Sequence, residues 1–429
     1  MLRRRSLFTL ATTVLAFSLT SAAQAENWPQ WRGERLDGVS SEKNLPARFG
    51  PNENVAWRAP LPGRGGATPV VWANRVFVSS VDGKDLVLLA FDTASGKELW
   101  KRVVGTVDKR ASDEGDQASP SPSTDGNHVW VLMSTGDMAC FDFNGKEIWK
   151  KDIEDDYGRL NNDYFFASSP VVHDGRLYIQ MIRRGGAHVA ALDGATGKEI
   201  WAIERPSDAR DECKDSYASP VLYRDNEREF LITHGADYTI GHSLKDGSEL
   251  WRSGGLNVGT YSRTLRLVAS PVAVPGLIVV PSAKGRPVLG LKPTGKGNIT
   301  GQEEHHHWVR PEGTPDVPSP LVVDGIVYLC REGGTFYALD AKTGEELYPE
   351  QRAHGYKHRA SPVYADGKIY VTGRDGMVTV VKAGPKFEKL ASNNMGEPIS
   401  ASPAISNGTI YLRSFEALYA IRANEQAAK

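Results

Sequence analysis

The dipeptide Ser/Thr-Pro followed by a β-rich run recurs eight times, and this recurrence leaves the chain few possible folds. It occurs in ATPVV (67–71), ASPSP (118–122), SSPVV (168–172), ASPVL (218–222), ASPVA (269–273), PSPLV (318–322), ASPVY (360–364) and ASPAI (401–405). Successive prolines, from Pro69 through Pro120, Pro170, Pro220, Pro271, Pro320 and Pro362 to Pro403, lie 41 to 51 residues apart. That period is the length of one four-stranded propeller blade. Inside each unit an apolar run is followed by a turn such as Asp174-Gly175 or Asp366-Gly367. A second run, a glycine turn and a third run come next, and then TGK or NGK and a short strand ending in tryptophan. Asp-Gly and Gly-Lys between alternating apolar runs are hairpin chemistry, because such turns need positive φ. Beyond residue 25 no segment has useful helical periodicity.

The terminal tryptophan repeats as Trp100, Trp149, Trp201, Trp251 and Trp308, with Tyr348 once in its place. Seven full units run from 67 to 394, and the eighth, 401–422, has only three strands. The segment 54–62, which carries Trp57, supplies the missing one. The expected fold is therefore all-β: an eight-bladed β-propeller of four-stranded antiparallel blades, closed by an N-terminal strand in the last blade. Closure removes the open sheet edges that invite aggregation. The expected organisation is a signal peptide (1–25), an extension on the ring's outside (26–53), the propeller (54–423) and a tail (424–429).

Residues 1–25 read as an export signal. Arg3, Arg4 and Arg5 precede an apolar run from Leu7 to Leu19, and small residues end at Ala25, where cleavage is expected. The Arg pair before Ser6, Leu7 and Phe8 is a loose twin-arginine match, so the export route stays open between the general secretory and twin-arginine systems. The remaining chain has 48 basic and 52 acidic side chains, net −4, which argues against nucleic-acid binding. No cysteine follows the cleavage region and no later segment is long and apolar enough to span a bilayer. A periplasmic or secreted protein without lipid anchor or membrane span is expected, and a monomer. Cys140, Cys213 and Cys330 allow at most one disulfide, and Cys140 and Cys330 lie in apolar runs that suit buried thiols.

The repeat grammar and its TGKEIW tail resemble the pyrroloquinoline-quinone-type β-propeller superfamily from about residue 54 to 422. One branch of that superfamily is the quinoprotein alcohol dehydrogenases. The other is non-enzymatic and includes the propeller subunit of the outer-membrane barrel-assembly machinery, whose length this chain resembles more closely. The segments 27–40, 313–325 and 384–406 are also similar to a large group of exported bacterial propellers. The dehydrogenase resemblance implies adjacent cysteines over the quinone, which are missing here, and calcium held by oxygen side chains. Asn161, Asn162 and Asp163 are candidates for such oxygens but do not align with the enzyme pattern. The reading is a protein- or ligand-binding assembly scaffold in the bacterial envelope, with no cofactor expected. The alternative is a dehydrogenase of alcohols or sugars that uses pyrroloquinoline quinone with calcium. A polysaccharide-active propeller enzyme is a third.

Strand order places the uniform Asp-Gly and TGK turns on one face and the variable connections before Ser-Pro on the other. Variable loops on a rigid frame are where binding usually sits. The expected partner- or ligand-binding residues at the channel mouth are Arg110, Asp116, Gln117, Asn162, Asp163, Tyr164, Asp215, Tyr217, Arg263, Asp316, His358 and Arg359. Their mixed signs suit a peptide, glycan or other polar ligand. EEHHHWVR (303–310) raises a separate possibility. Strand alternation puts His305 and His307 on one face beside Glu303, a partial metal site. Trp308 aligns with the repeat tryptophans, which sets these histidines on the outermost strand, so no functional metal is expected.

Overall fold

The computed structural model describes residues 26–423 apart from Arg110 and Asp113. The signal peptide and tail expected at 1–25 and 424–429 lie outside the described residues. Eight antiparallel sheets form the ring. Blade 1 comprises Val70–Trp72, Arg75–Asp82, Asp85–Asp92 and Glu98–Thr106. Blades 2 to 7 repeat this plan, and the short first strands of neighbouring blades touch around the centre. In blade 8, Val55–Pro60 pairs antiparallel with Ala417–Ile421, outside Thr409–Arg413 and Ala404–Ser406. The chain termini thus close the ring three-plus-one, as the repeat count requires. Blade 4 has a small addition: Gly297–Asn298, reaching over from blade 5, pairs parallel with its outer strand.

The tight turns follow their sequence. Asp174-Gly175, Asp324-Gly325 and Asp366-Gly367 have both φ angles positive, the requirement of a two-residue hairpin that matches strand twist. At the outer edge the same irregularity recurs. Ala191 pairs with Trp201 and Leu192 with Glu199, so Ile200 is an unpaired bulge residue. Leu99, Ile148 and Leu250 hold that place in blades 1, 2 and 4. The bulge turns each tryptophan toward the next blade and leaves the preceding aliphatic exposed.

Five of the repeat tryptophans then dock by a hydrogen bond in the glycine turn of the neighbouring blade, while the buried indole N–H of Trp251 has no hydrogen-bond partner. The indole N–H of Trp57 donates to Thr93 O, Trp100 to Phe143 O, Trp149 to Gly194 O, Trp201 to Leu244 O and Trp308 to Ala341 O, at 2.8–3.1 Å. The glycine of the turn makes room for the ring. A Cβ on Gly247 would lie 2.6 Å from the Trp201 indole, and Gly247 already has φ +74°. The motif DGATGKEIW (193–201) is thus half socket and half plug: Gly197 receives Trp149, while Trp201 enters the next blade.

The N-terminal segment departs from expectation. It does not pack on the ring's outer wall; it crosses the face that carries the Asp-Gly turns. Trp28 exchanges backbone hydrogen bonds with Val71 of blade 1, and Pro29 O accepts from Thr124 N of blade 2. Gln30 Oε1 accepts from Val172 N of blade 3, and Arg32 Nη2 donates to Pro320 O at blade 6. Gly38 and Ser40 bond Tyr364 of blade 7, and Glu42 accepts from Asn407 N and Gly408 N of blade 8. The reason is energetic. The ends of the first strands present unpaired backbone groups around an open channel, and a buried orphan amide or carbonyl is costly. One extended segment satisfies several at once.

Cys140, Cys213 and Cys330 are free and buried. Two buried histidines sit in blade 4. Arg205 Nε donates to Thr233 Oγ1, which lies 2.9 Å from His242 Nε2, and His242 Nδ1 is 3.1 Å from Gly247 O. His234 Nδ1 lies 2.7 Å from Thr239 Oγ1. Burial first, and then the Arg205 charge, depresses the pKa of His242 to about 4 and that of His234 to about 3.

Two outcomes follow for stability. Gly247→Ala should lower the unfolding free energy by about 2–4 kcal/mol, from left-handed strain plus the indole clash. Gly175→Ala, at φ +72° with nothing within 4 Å, should lose only the strain part, about 1–2 kcal/mol. Equal losses in urea titrations would refute the socket role. The second outcome concerns pH. A histidine kept neutral by the fold is protonated in the unfolded chain as soon as pH drops below 6.5. Stability is therefore whole above pH 6.5 and falls on acidification by about 1.4 kcal/mol per pH unit for each histidine, until the folded pKa is reached. Replacing His242 with Gln should flatten the urea midpoint between pH 6.5 and 4.5; an unchanged slope would contradict the assignment.

Candidate functional site in a blind channel

The Ser/Thr-Pro hydroxyls build the channel wall. Thr68 N donates to Ser121 Oγ, Ser121 N to Ser169 Oγ, and Ser169 N to Ser219 Oγ. The ladder continues through Ser270, Ser319 and Ser361 to Ser402, each step 2.9–3.0 Å. Seven of the eight blades hand one backbone N–H to the next blade's hydroxyl, and proline fixes the backbone that follows. The ladder also corrects one alignment. In ASPSP (118–122) the ring position is Ser121, so the blade-2 proline is Pro122, two residues beyond the one expected.

These eight hydroxyls line a cavity of about 370 Å³. Trp31, from the segment that crosses the turn face, lines it as well and forms its floor. The channel is therefore a cup, open toward the inter-blade connections. Two residues before each hydroxyl, the extended backbone again points inward. Those positions are Gly66, Ser119, Ala167, Tyr217, Val268, Val317, Arg359 and Ser400, and all eight line the cavity. Six are small or aliphatic, so Tyr217 of blade 4 and Arg359 of blade 7 dominate that layer. Above them stand Arg64, Glu114, Asp116, Tyr164, Arg266, Asp316, Arg374 and Phe415.

The charges of the mouth are largely mutual. Glu114 meets Arg359 at 2.5 Å, Lys357 at 3.3 Å and Arg374 at 3.8 Å, spanning the mouth from the blade 1–2 connection to blade 7. Burial opposes its ionisation, but the hydrogen bonds from Arg359 and Lys357 outweigh this and hold its pKa below the usual value. Arg266 Nε lies 3.1 Å from Glu212, and its guanidinium stacks 5.0 Å from the Tyr164 ring centre. Arg64 sits 4.4 Å over Phe415. Asp116 and Asp316 are buried, and burial pushes both carboxyls up, against the attraction of Arg413 and Arg64 for the first and Arg266 for the second. Behind Asp116, burial lowers Arg413 to about 10.

Of the residues expected at the mouth, Asp116, Tyr164, Tyr217, Asp316 and Arg359 line the cup. The others serve the frame or the rim. Gln117 bonds Asp108, and Asn162 spends its amide on Ile182 O and Ser216 O. Asp163 and Asp215 share Arg184, at 2.5 and 3.0 Å. Arg263 pairs with Asp211 at the surface, and His358 is buried with its Nδ1 on Tyr356 O. Arg110 lies outside the described residues. Sequence reasoning missed Trp31, Arg64, Glu114, Arg266, Arg374 and Phe415. For the layer two residues before each Ser/Thr the signal was present in the alternation, but the others come from segments without repeat register.

The expected pairing of Glu303, His305 and His307 on one strand face does not occur. Glu303–His305 is a 3-10 turn, the strand starts at His306, and His307 is the bulge residue, held on Gly276 O. Among the described residues, the ligand atoms of His173, Asp174 and Glu229 do converge within 4.8 Å. Glu229 Oε1 is already taken up by His173 Nε2 at 2.9 Å and by Arg224 Nε at 2.8 Å.

Comparison with known proteins came to the same architecture. The chain is 22% identical to tetrathionate hydrolase of Acidithiobacillus ferrooxidans over 68% of its length and 54% of that protein. It is 28% identical to the serine/threonine-protein kinase AfsK of Streptomyces griseus, over 65% of its length and 29% of the kinase. It thus spans about half of the first relative and under a third of the second. Against outer membrane protein assembly factor BamB of Yersinia pestis the identity is 21%, covering 75% of this chain and 77% of the other. Among solved structures, BamB from Moraxella catarrhalis matches 86% of this chain and 98% of its own, with TM-score 0.63 and 14% identity. Quinohemoprotein alcohol dehydrogenase from Comamonas testosteroni matches 94% and 81%, with TM-score 0.68 and 13% identity. At such identities these two share the fold. The family profile described as outer membrane protein assembly factor BamB matches residues 50–118, 84–315 and 236–429, and the chain belongs to that family.

Proposed function

We propose that this chain is an exported scaffold of the bacterial envelope, binding a protein partner through the connections around its channel mouth. The observation that carries the reading is the exposure of large side chains there. Tyr164 is 39% exposed, Val258 43% and Tyr356 49%, each on an inter-blade connection, with Arg263 and Lys357 beside them. Tyrosine and arginine on a rigid frame are what protein interfaces use as anchors. Family membership and the assembly role named for the BamB relatives support the same reading. No helix among the described residues is long and apolar enough to cross a membrane.

The quinone alternative needs a calcium ion held by converging oxygens beside the cofactor. The residues do not fit that requirement. Asp163 and Asp215 are both tied to the Arg184 guanidinium, Glu114 is held by three cations, and Asp116 and Asp316 stand on connections into blades 2 and 6.

A photo-crosslinking residue at Tyr356, in cells of the source organism, should trap a discrete envelope protein. The same probe at Ile148, exposed on the outer wall, should trap nothing. Pairing Tyr356→Ala with Tyr164→Ala should weaken the recovered complex at least tenfold, the cost of about 1.4 kcal/mol. Crosslinks at Ile148 alone, or at neither position, would end the scaffold reading. Saturable uptake of pyrroloquinoline quinone with calcium, followed by dye reduction, would replace it with the dehydrogenase.

A further inference from the structure

The mouth loops leave the interior of the cup unexplained. Its floor is the Trp31 indole, and Tyr217, Tyr164 and Phe415 add aromatic surface at higher levels. Its wall is a ring of buried hydroxyls. Each ring serine accepts a backbone N–H from the preceding blade, an interaction that uses the oxygen and leaves the O–H free to donate. Asp316 is 7% exposed, lines the cup, and its Oδ1 has no hydrogen-bond partner. An orphaned carboxylate oxygen at that depth costs stability unless something uses it.

The electrostatics narrow the ligand. Arg359 and Arg374 are engaged with Glu114, and Arg266 with Glu212. A strongly anionic ligand would have to break these pairs or bring in an uncompensated charge, and burying an unpaired charge is expensive. A cationic ligand faces the same three arginines and Arg64. A neutral ligand with many hydroxyls has neither difficulty. It exchanges water for carboxylate, guanidinium and serine partners, and lays its C–H faces on aromatic rings. The volume, about 370 Å³, lies near the lower end of small-molecule sites.

We infer that the blind channel is a binding site for a neutral saccharide unit, stacked on Trp31 and hydrogen-bonded by Asp316, Arg359 and the serine ring. The sugar reaches it only from the mouth, because residues 28–40 close the other end. The site meets the partner surface at Tyr164 but does not include Tyr356, which is exposed on its connection and does not line the cup.

The test is isothermal titration of the whole mature chain with D-glucose, N-acetyl-D-glucosamine and maltose, preceded by a glycan array of neutral and uronic-acid oligosaccharides. At least one neutral saccharide should bind saturably and perturb tryptophan fluorescence. Asp316→Asn should weaken that binding about tenfold, the scale of one hydrogen bond to a charged group. Tyr217→Phe, which removes one hydroxyl and keeps the ring, should weaken it less. Circular dichroism checks that both variants fold, and Arg359→Gln serves as a second probe if Asp316→Asn does not. No neutral saccharide bound at about 10 mM, a limit that reaches beyond millimolar affinity, would overturn the proposal. So would preference for uronic acids or inorganic sulfate, or binding indifferent to all these variants. Crosslinking at Tyr356 should survive Asp316→Asn, so failure here leaves the partner reading standing.

Discussion

A tryptophan from one blade entering the glycine turn of the next is the contact on which the ring depends. A blade is a small, twisted sheet that cannot bury both of its faces alone. Trp57, Trp100, Trp149, Trp201 and Trp308 each cross a blade boundary and satisfy the indole N–H on a neighbouring carbonyl, and all but the half-buried Trp149 bury the ring. Truncating one such ring would remove about 3–5 kcal/mol. The bulge before each tryptophan is what aims it, and the turn glycine is what admits it. Trp57 extends the device across the seam, which makes closure by the N-terminal strand a packing matter as well as a hydrogen-bonding one.

Two further rings lie inside that outer belt. The serine ladder joins the blades near the axis through backbone-to-hydroxyl bonds, where the first strands are too short for much apolar contact. The N-terminal segment then covers one end of the axis. The asymmetry of the molecule follows. Its turn face is uniform and sealed, while its connection face is open and varied.

Much of the frame was legible in the sequence. Eight Ser/Thr-Pro steps, their spacing and the tryptophan count are enough for eight blades, and the three-stranded last unit is enough for the closure. Tyr217 and Arg359 were also found before any coordinates, because they stand in register with the inward-pointing serines, whereas Asp116, Tyr164 and Asp316, out of that register, were found because the connections before Ser-Pro lead to the mouth. Where the register failed, so did the reading. Arg263 was chosen where Arg266 faces the cup, and Asp163 where Arg184 claims the carboxylate. The histidine run misled because alternation was assumed across a 3-10 turn and a bulge, both of which break period two.

Local chemistry in the sequence determined the blades, their number and the side of the ring where variation lies. Turn residues and alternation act over a few positions, and the repeat writes them out eight times. Only the tertiary structure decided what the axis contains. Trp31 lines one cavity with a serine as far away in the chain as Ser402, and Glu114 meets Arg359 across 245 residues. Neither meeting has a periodic signal, because each is made once. Whether the channel is a pore or a cup depended on the path of residues 28–42, which backbone groups of six different blades select together.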